Sequence, residues 1–176
     1  MDTASFLPWL IAAVLMFWSV GAYNRLVRLR YAMLRRFAPV DQHLESRNAL
    51  LQRQIDLWAQ RPDALSRDLE ALQAARTQAD AARLAAKRQP GAADTIHSLR
   101  LALQILARTR ERAAAERLPD TAQTHALLQE LAACDHALHF AQGQFNEAVL
   151  EYNAALAQFP AAWLGSVFGF RSAGLF

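Results

Sequence analysis

"CDHALHF", residues 134–140, gathers four side chains able to hold a metal: Cys134, Asp135, His136 and His139. On a helix, ligands converge on one ion only from positions three or four apart. His136 and His139 meet that spacing. Cys134 falls instead on the apolar seam of its segment, and Asp135 points elsewhere. His43 could join from an earlier helix, yet nothing in the spacing requires it, and two imidazoles do not close a site. The expected state is a core cysteine beside ordinary histidines, with no metal. A metal-dependent enzyme or regulator using His136 and His139 stands as the alternative.

Other chemistry is harder still to build. The chain has no G-x-S-x-G, no H-E-x-x-H and no glycine-rich phosphate loop, and six glycines in 176 residues are too sparse to make one. Neither catalytic residues nor cofactors are therefore expected. Carboxylates stand beside arginines at helical spacing, as in Glu111 with Arg108 and Arg112, or Asp80 with Arg76, which reads as surface pairing. The run "RTRERAAAER" at 108–117 raises a second alternative, a nucleic-acid binder on the cytoplasmic face. Its alternating Glu111 and Glu116 and its lack of aromatic neighbours favour a solvated face, so no nucleic acid is expected.

The elements that must carry these residues are helical. Ala, Leu, Gln, Glu and Arg dominate, and the breakers are few: Pro39, Arg61-Pro62, Gln89-Pro90-Gly91, Leu118-Pro119-Asp120 and Phe159-Pro160. Between them apolar residues recur every three or four positions. Leu26, Leu29, Met33, Phe37, Val40, Leu44, Leu51, Ile55 and Trp58 mark a first helix, with a polar gap at Arg47-Asn48 and a kink expected at Pro39. A second helix is expected over about 63–88, opened by Pro62-Asp63 and striped by Leu65, Leu69, Leu72, Ala75, Ala79 and Ala82. A third, over about 95–117 with Asp94 as N-cap, carries Ile96, Leu99, Leu103, Leu106 and Ala113. The fourth, from an Asp120 cap to Phe159, holds a near-heptad seam of Leu127, Leu131, Cys134, Leu138, Ala141, Phe145, Ala148, Tyr152 and Phe159. No strand alternation appears. The expected class is all-α, an up-down-up-down antiparallel four-helix bundle over 24–160. A dimeric coiled coil on the fourth helix competes with it, which leaves homo-oligomers open.

One stretch is not built for a soluble body. From Phe6 to Tyr23 eighteen uncharged residues run without a polar face. As a helix they reach about 27 Å, enough to span a hydrocarbon core. Trp9 and Tyr23 sit near its ends as interfacial aromatics do. No positive charge precedes the run, which argues against a cleaved secretory signal, although "VGAY" around Gly21 would serve as a cleavage site. Residues 1–23 are thus expected to be a transmembrane anchor. Arg25, Arg28, Arg30, Arg35 and Arg36 follow it, and no Lys or Arg lies on its other side. By the positive-inside rule the N-terminus is outside and the remainder cytoplasmic, single-pass in the cell (inner) membrane. The arginines should meet anionic headgroups. The lone Cys134 excludes an internal disulfide, which suits a reducing compartment. An apolar tail, 161–176, is expected either to lie in the interface with Trp163, Phe168 and Phe170 inward and Arg171 at the headgroups, or to fold back on the first and fourth helices.

Two stretches resemble one family. "YNRLVRLR" after the anchor with "VDQHL" at 40–44, and "FNEAVLEYNAALAQFPAAWLGSVFGF" at 145–170, look like the start and the C-terminal signature of LemA proteins. Phe145-Asn146, Val149, Tyr152-Asn153, Phe159-Pro160 and Phe168-Gly169-Phe170 carry the second. Glu45-Ser46 and Gln52 depart from the family pattern. The resemblance implies a helical cytoplasmic domain on one anchor and no established reaction. The expected function is a non-enzymatic interaction or scaffold module, with membrane lipids and an unidentified membrane or cytoplasmic protein as partners.

Overall fold

The computed structural model describes residues 3–60, 66–114 and 121–176. They form five helices: α1 (Thr3–Ala59), α2 (Ser66–Arg88), α3 (Ala93–Ala114), α4 (Ala122–Ala157) and α5 (Ala161–Phe168). Among the described residues there is no strand, only an isolated bridge between Ala92 and Ala173.

α1 is one helix of 57 residues, roughly 85 Å at 1.5 Å per residue. Pro39 lies within it on an exposed side, where the carbonyl it leaves without an N–H can turn to solvent. α4 runs antiparallel along the second half of α1. Arg25 meets Gln158, Phe37 meets Phe145, Arg47 meets Asp135 and Arg53 meets Glu130, each step along α1 matched by a step back along α4. α2 packs on α1 in the same sense, through Asp41 with Arg83 and Asn48 with Arg76. The turn 89–92 then folds α3 back on α2. Gly91 has φ +96°, which disfavours a side chain, and a Cβ there would meet the Met33 terminal methyl at 2.6 Å. α3 and α4 face each other across a groove of about 520 Å³, lined by Arg100, Leu103 and Gln104 on one side and His139, Gln142 and Asn146 on the other.

The core is divided in two. One cluster joins Leu26, Met33, Phe37, Val40 and Leu44 to Ile96, Leu99, Leu138, Phe145, Val149 and Tyr152. The other joins Leu51, Ile55 and Trp58 to Leu72, Leu106, Leu127 and Leu131. Between them lies a polar layer at the Arg47-Asn48 gap of the first stripe. Arg47 Nε donates to Asp135 at 2.6 Å, Arg110 lies 3.6 Å from the same carboxylate and donates to Gln54 at 3.1 Å, and Arg76 donates to Asn48 at 3.0 Å.

Several expectations change. The α4 seam passes through Val149, with Ala148 half-buried, because a straight helix of 3.6 residues per turn drifts off a seven-residue repeat. Cys134 is half-buried, its thiol donating to the His43 carbonyl at 3.4 Å, and burial pushes its pKa up. Phe159 lies past the helix end and is exposed. Thr121 caps α4, its hydroxyl accepting the Thr124 N–H at 3.2 Å, while α3 begins at Ala93 with Asp94 in its first turn. Pro62, Asp63, Leu65, Leu118, Pro119, Asp120 and Glu116 lie outside the described residues. Asp80 pairs with Arg83 rather than Arg76, since Arg76 is drawn inward to Asn48.

Candidate functional site

The first turns of α1 that the structure describes in side-chain detail bury almost nothing. Trp9 is 77% exposed and Phe17 78%, and Leu10, Ile11, Val14, Leu15, Met16, Trp18 and Val20 are also exposed. Large apolar side chains open all round a helix are not a feature of a soluble surface. Within α1 lies a stretch long and apolar enough to cross a membrane, with a mean hydropathy of 1.5 and little of it buried.

The chain's other end returns to this level. Pro160 is the N-cap of α5, and Gly169, at φ +70° in the left-handed region, ends it. α5 lies against α1 where the apolar stretch gives way to arginines. Tyr23 packs against Phe168 with ring centres 5.1 Å apart and against Phe170 at 5.7 Å, and Trp18 meets Phe159 at 5.2 Å. Arg30 covers the Phe170 ring at 5.9 Å, a cation–π contact, and Arg25 donates to Gln158 at 3.2 Å. Arg28 is exposed, as are Trp163 (62%), Val167 and Phe168. The structure thus brings Tyr23, Arg25, Arg30, Phe168 and Phe170 into one collar. Trp9 lies about four turns further along α1, fourteen residues before Tyr23.

Arg171 is exposed, but its carbonyl accepts from the Tyr152 hydroxyl at 3.0 Å, and from here the tail climbs the body. Asn153 grips Ala173 twice, its amide donating to the carbonyl at 3.0 Å and its carbonyl accepting the N–H at 2.8 Å. Asn146 accepts the Phe176 N–H at 3.0 Å, and the Gly174 N–H reaches the Gly91 carbonyl at 3.1 Å. Sequence reasoning had no role for Asn146 and Asn153. Their signal was present: Phe145-Asn146 and Tyr152-Asn153 repeat seven residues apart, which places two aromatics inward and two amides at one rim.

His136 and His139 are exposed on α4, and Asp135 turns from them to Arg47. Among the described residues no three His, Cys, Asp or Glu side chains gather. The 108–117 run is not one solvated face: Arg110 turns inward to Gln54 and Asp135, and burial lowers its pKa.

The family model described as "LemA family" matches residues 36–176, most of the chain. No curated protein and no solved structure matches it. The matched span begins past the collar's α1 half and includes Phe168, Phe170 and the tail held by Asn146, Tyr152 and Asn153, and on that match the chain belongs to the LemA family.

Proposed function

We propose that this LemA protein is a single-pass membrane protein whose helices form an up-down-up-down four-helix bundle, a non-enzymatic interaction or scaffold module on the cytoplasmic face. The observation that carries it is the exposure of every large apolar side chain from Trp9 to Tyr23, followed at once by Arg25, Arg28 and Arg30. A helix so solvated would be driven out of water, and the arginines hold their end at the cytoplasmic headgroups. The N-terminus then faces outward. In a Cys134→Ser background, Thr3→Cys should react with an impermeant thiol reagent in intact cells. Glu151→Cys, exposed on α4, should react only after permeabilisation. Labelling of the second in intact cells would reverse the orientation.

α5 is a second point of membrane contact in this reading. Its Trp163, Val167 and Phe168 are exposed beside Tyr23, while the tail beyond Phe170 is held by the protein. An interfacial helix buries such a face among the headgroups and acyl chains. With Trp9, Trp18 and Trp58 replaced by Phe, Trp163 emission in bilayers should be blue-shifted and quenched by brominated lipid. Emission insensitive to bromine would confine the contact to α1.

A further inference from the structure

Where α1 passes the end of α4, the chain leaves a cleft of about 510 Å³. Phe17 stands on one side, and the edge-to-face pair of Trp18 and Phe159 on another. Gly21 lies between them on α1. A Cβ built there meets nothing within 4 Å, so the space beside it is filled by no part of the chain. At the rim, Arg25 donates to the Gln158 amide oxygen at 3.2 Å.

The charge around this cleft has one sign. From Thr3 to Val40 and from Tyr152 to Phe176 there is no Asp or Glu, yet Arg25, Arg28, Arg30, Arg35, Arg36 and Arg171 lie on those stretches. Arg25 therefore rests on an amide and not on a carboxylate, which leaves its guanidinium able to take a stronger, charged acceptor. The apolar wall below it is continuous along α1 with the exposed stretch around Val14. A slot that is apolar along its length and cationic at one rim matches a molecule with an acyl chain at one end and a phosphate diester at the other.

We propose that this cleft binds one anionic glycerophospholipid from the surrounding leaflet. Its phosphate accepts from Arg25, and the Gln158 amide swings to donate beside it. One acyl chain runs past Gly21 between Phe17 and the Trp18–Phe159 wall. The site rests on the membrane-anchored reading, but it adds a stoichiometric, headgroup-selective ligand to it.

The full chain in detergent micelles, titrated with dioleoyl-phosphatidylglycerol and examined by native mass spectrometry, should show one saturable lipid adduct. It should be favoured about tenfold over the dioleoyl-phosphatidylcholine adduct, the ratio expected for one charged contact near 1.4 kcal/mol. Gly21→Leu puts a side chain into the slot, where its Cβ meets nothing within 4 Å, and Arg25→Gln removes the cation; each should weaken the adduct about tenfold, while Arg28→Gln leaves it within about twofold. Equal binding of the two lipids, an adduct indifferent to both cleft variants, or displacement of the lipid adduct by inorganic phosphate alone would overturn the site. Liposome flotation keeps the anchor separate: Gly21→Leu should float like wild type. A wild-type chain that stays in the aqueous fraction would sink the anchor reading by itself.

Discussion

Phe145→Ala should lower the unfolding free energy by about 3–5 kcal/mol, the range for emptying a fully buried aromatic site. Phe145 has no exposed surface and sits at the centre of three rings. Phe37 meets it edge-on at 5.7 Å and Phe176 at 5.6 Å, and those two stack on each other at 6.5 Å. Such pairs contribute about 0.5–1.5 kcal/mol each beyond their buried area. The void cannot collapse easily, because α1, α3 and α4 all contribute neighbours held by their own packing. The same substitution removes the floor under Phe176, so the tail should loosen, and the Ala173 and Phe176 amides should exchange faster with solvent. Glu151→Ala, on an exposed position six residues further along α4, should cost less than about 0.5 kcal/mol. Thermal melts of the full chain in detergent separate the two, at about 2–4 °C per kcal/mol for a chain of this size. Equal shifts would mean that the α4 seam does not face the core.

That seam shows how far a one-dimensional pattern reaches. Leu127, Leu131, Leu138, Ala141, Phe145 and Tyr152 could be read from spacing alone, because burial on a helix repeats with its turn. The stripe of α1 from Leu26 to Trp58 was equally plain. What spacing cannot carry is the identity of a partner. The gap at Arg47-Asn48 was visible as a break in the stripe, yet only the fold reveals that Asp135, 88 positions away, fills it. Asp135 could be excluded from a metal set by its direction, but its true role needed α1 alongside. The tail was ambiguous for a related reason. Apolar content drives a segment out of water without deciding between lipid and protein as its destination. The answer is divided: α5 keeps its exposed face, and the last residues are held by main-chain bonds to Asn146 and Asn153 that no hydropathy pattern encodes.

Asp41→Asn should cost about 2–3 kcal/mol at neutral pH, and that cost should shrink in acid. Asp41 on α1 accepts from Arg83 Nη1 and from Lys87 Nζ on α2, both at 2.7 Å. The side chains of Asp41 and Arg83 are only 10% and 9% exposed. Hydrogen bonds to charged groups contribute about 1.5–3 kcal/mol. The loss stays below the 3–5 kcal/mol of a wholly uncompensated buried charge, since Arg83 keeps Asp80 at 2.8 Å and the distant Glu45 at 3.8 Å. Burial alone would push the Asp41 carboxyl up; the hydrogen bonds from Lys87 and Arg83, with their positive charge, outweigh it and hold the group below its ordinary range. A carboxyl depressed by folding contributes stability in full above its unfolded pKa of about 3.9, and loses it as pH falls through the lower folded value. Wild type should therefore lose stability below about pH 4, while Asp41→Asn, which has no proton to take up there, loses less. In denaturant melts of both chains from pH 7 to pH 2.5, the gap between them should narrow toward the acid end. A gap that stays constant across that range would show that Asp41 acts through its shape and not through its charge.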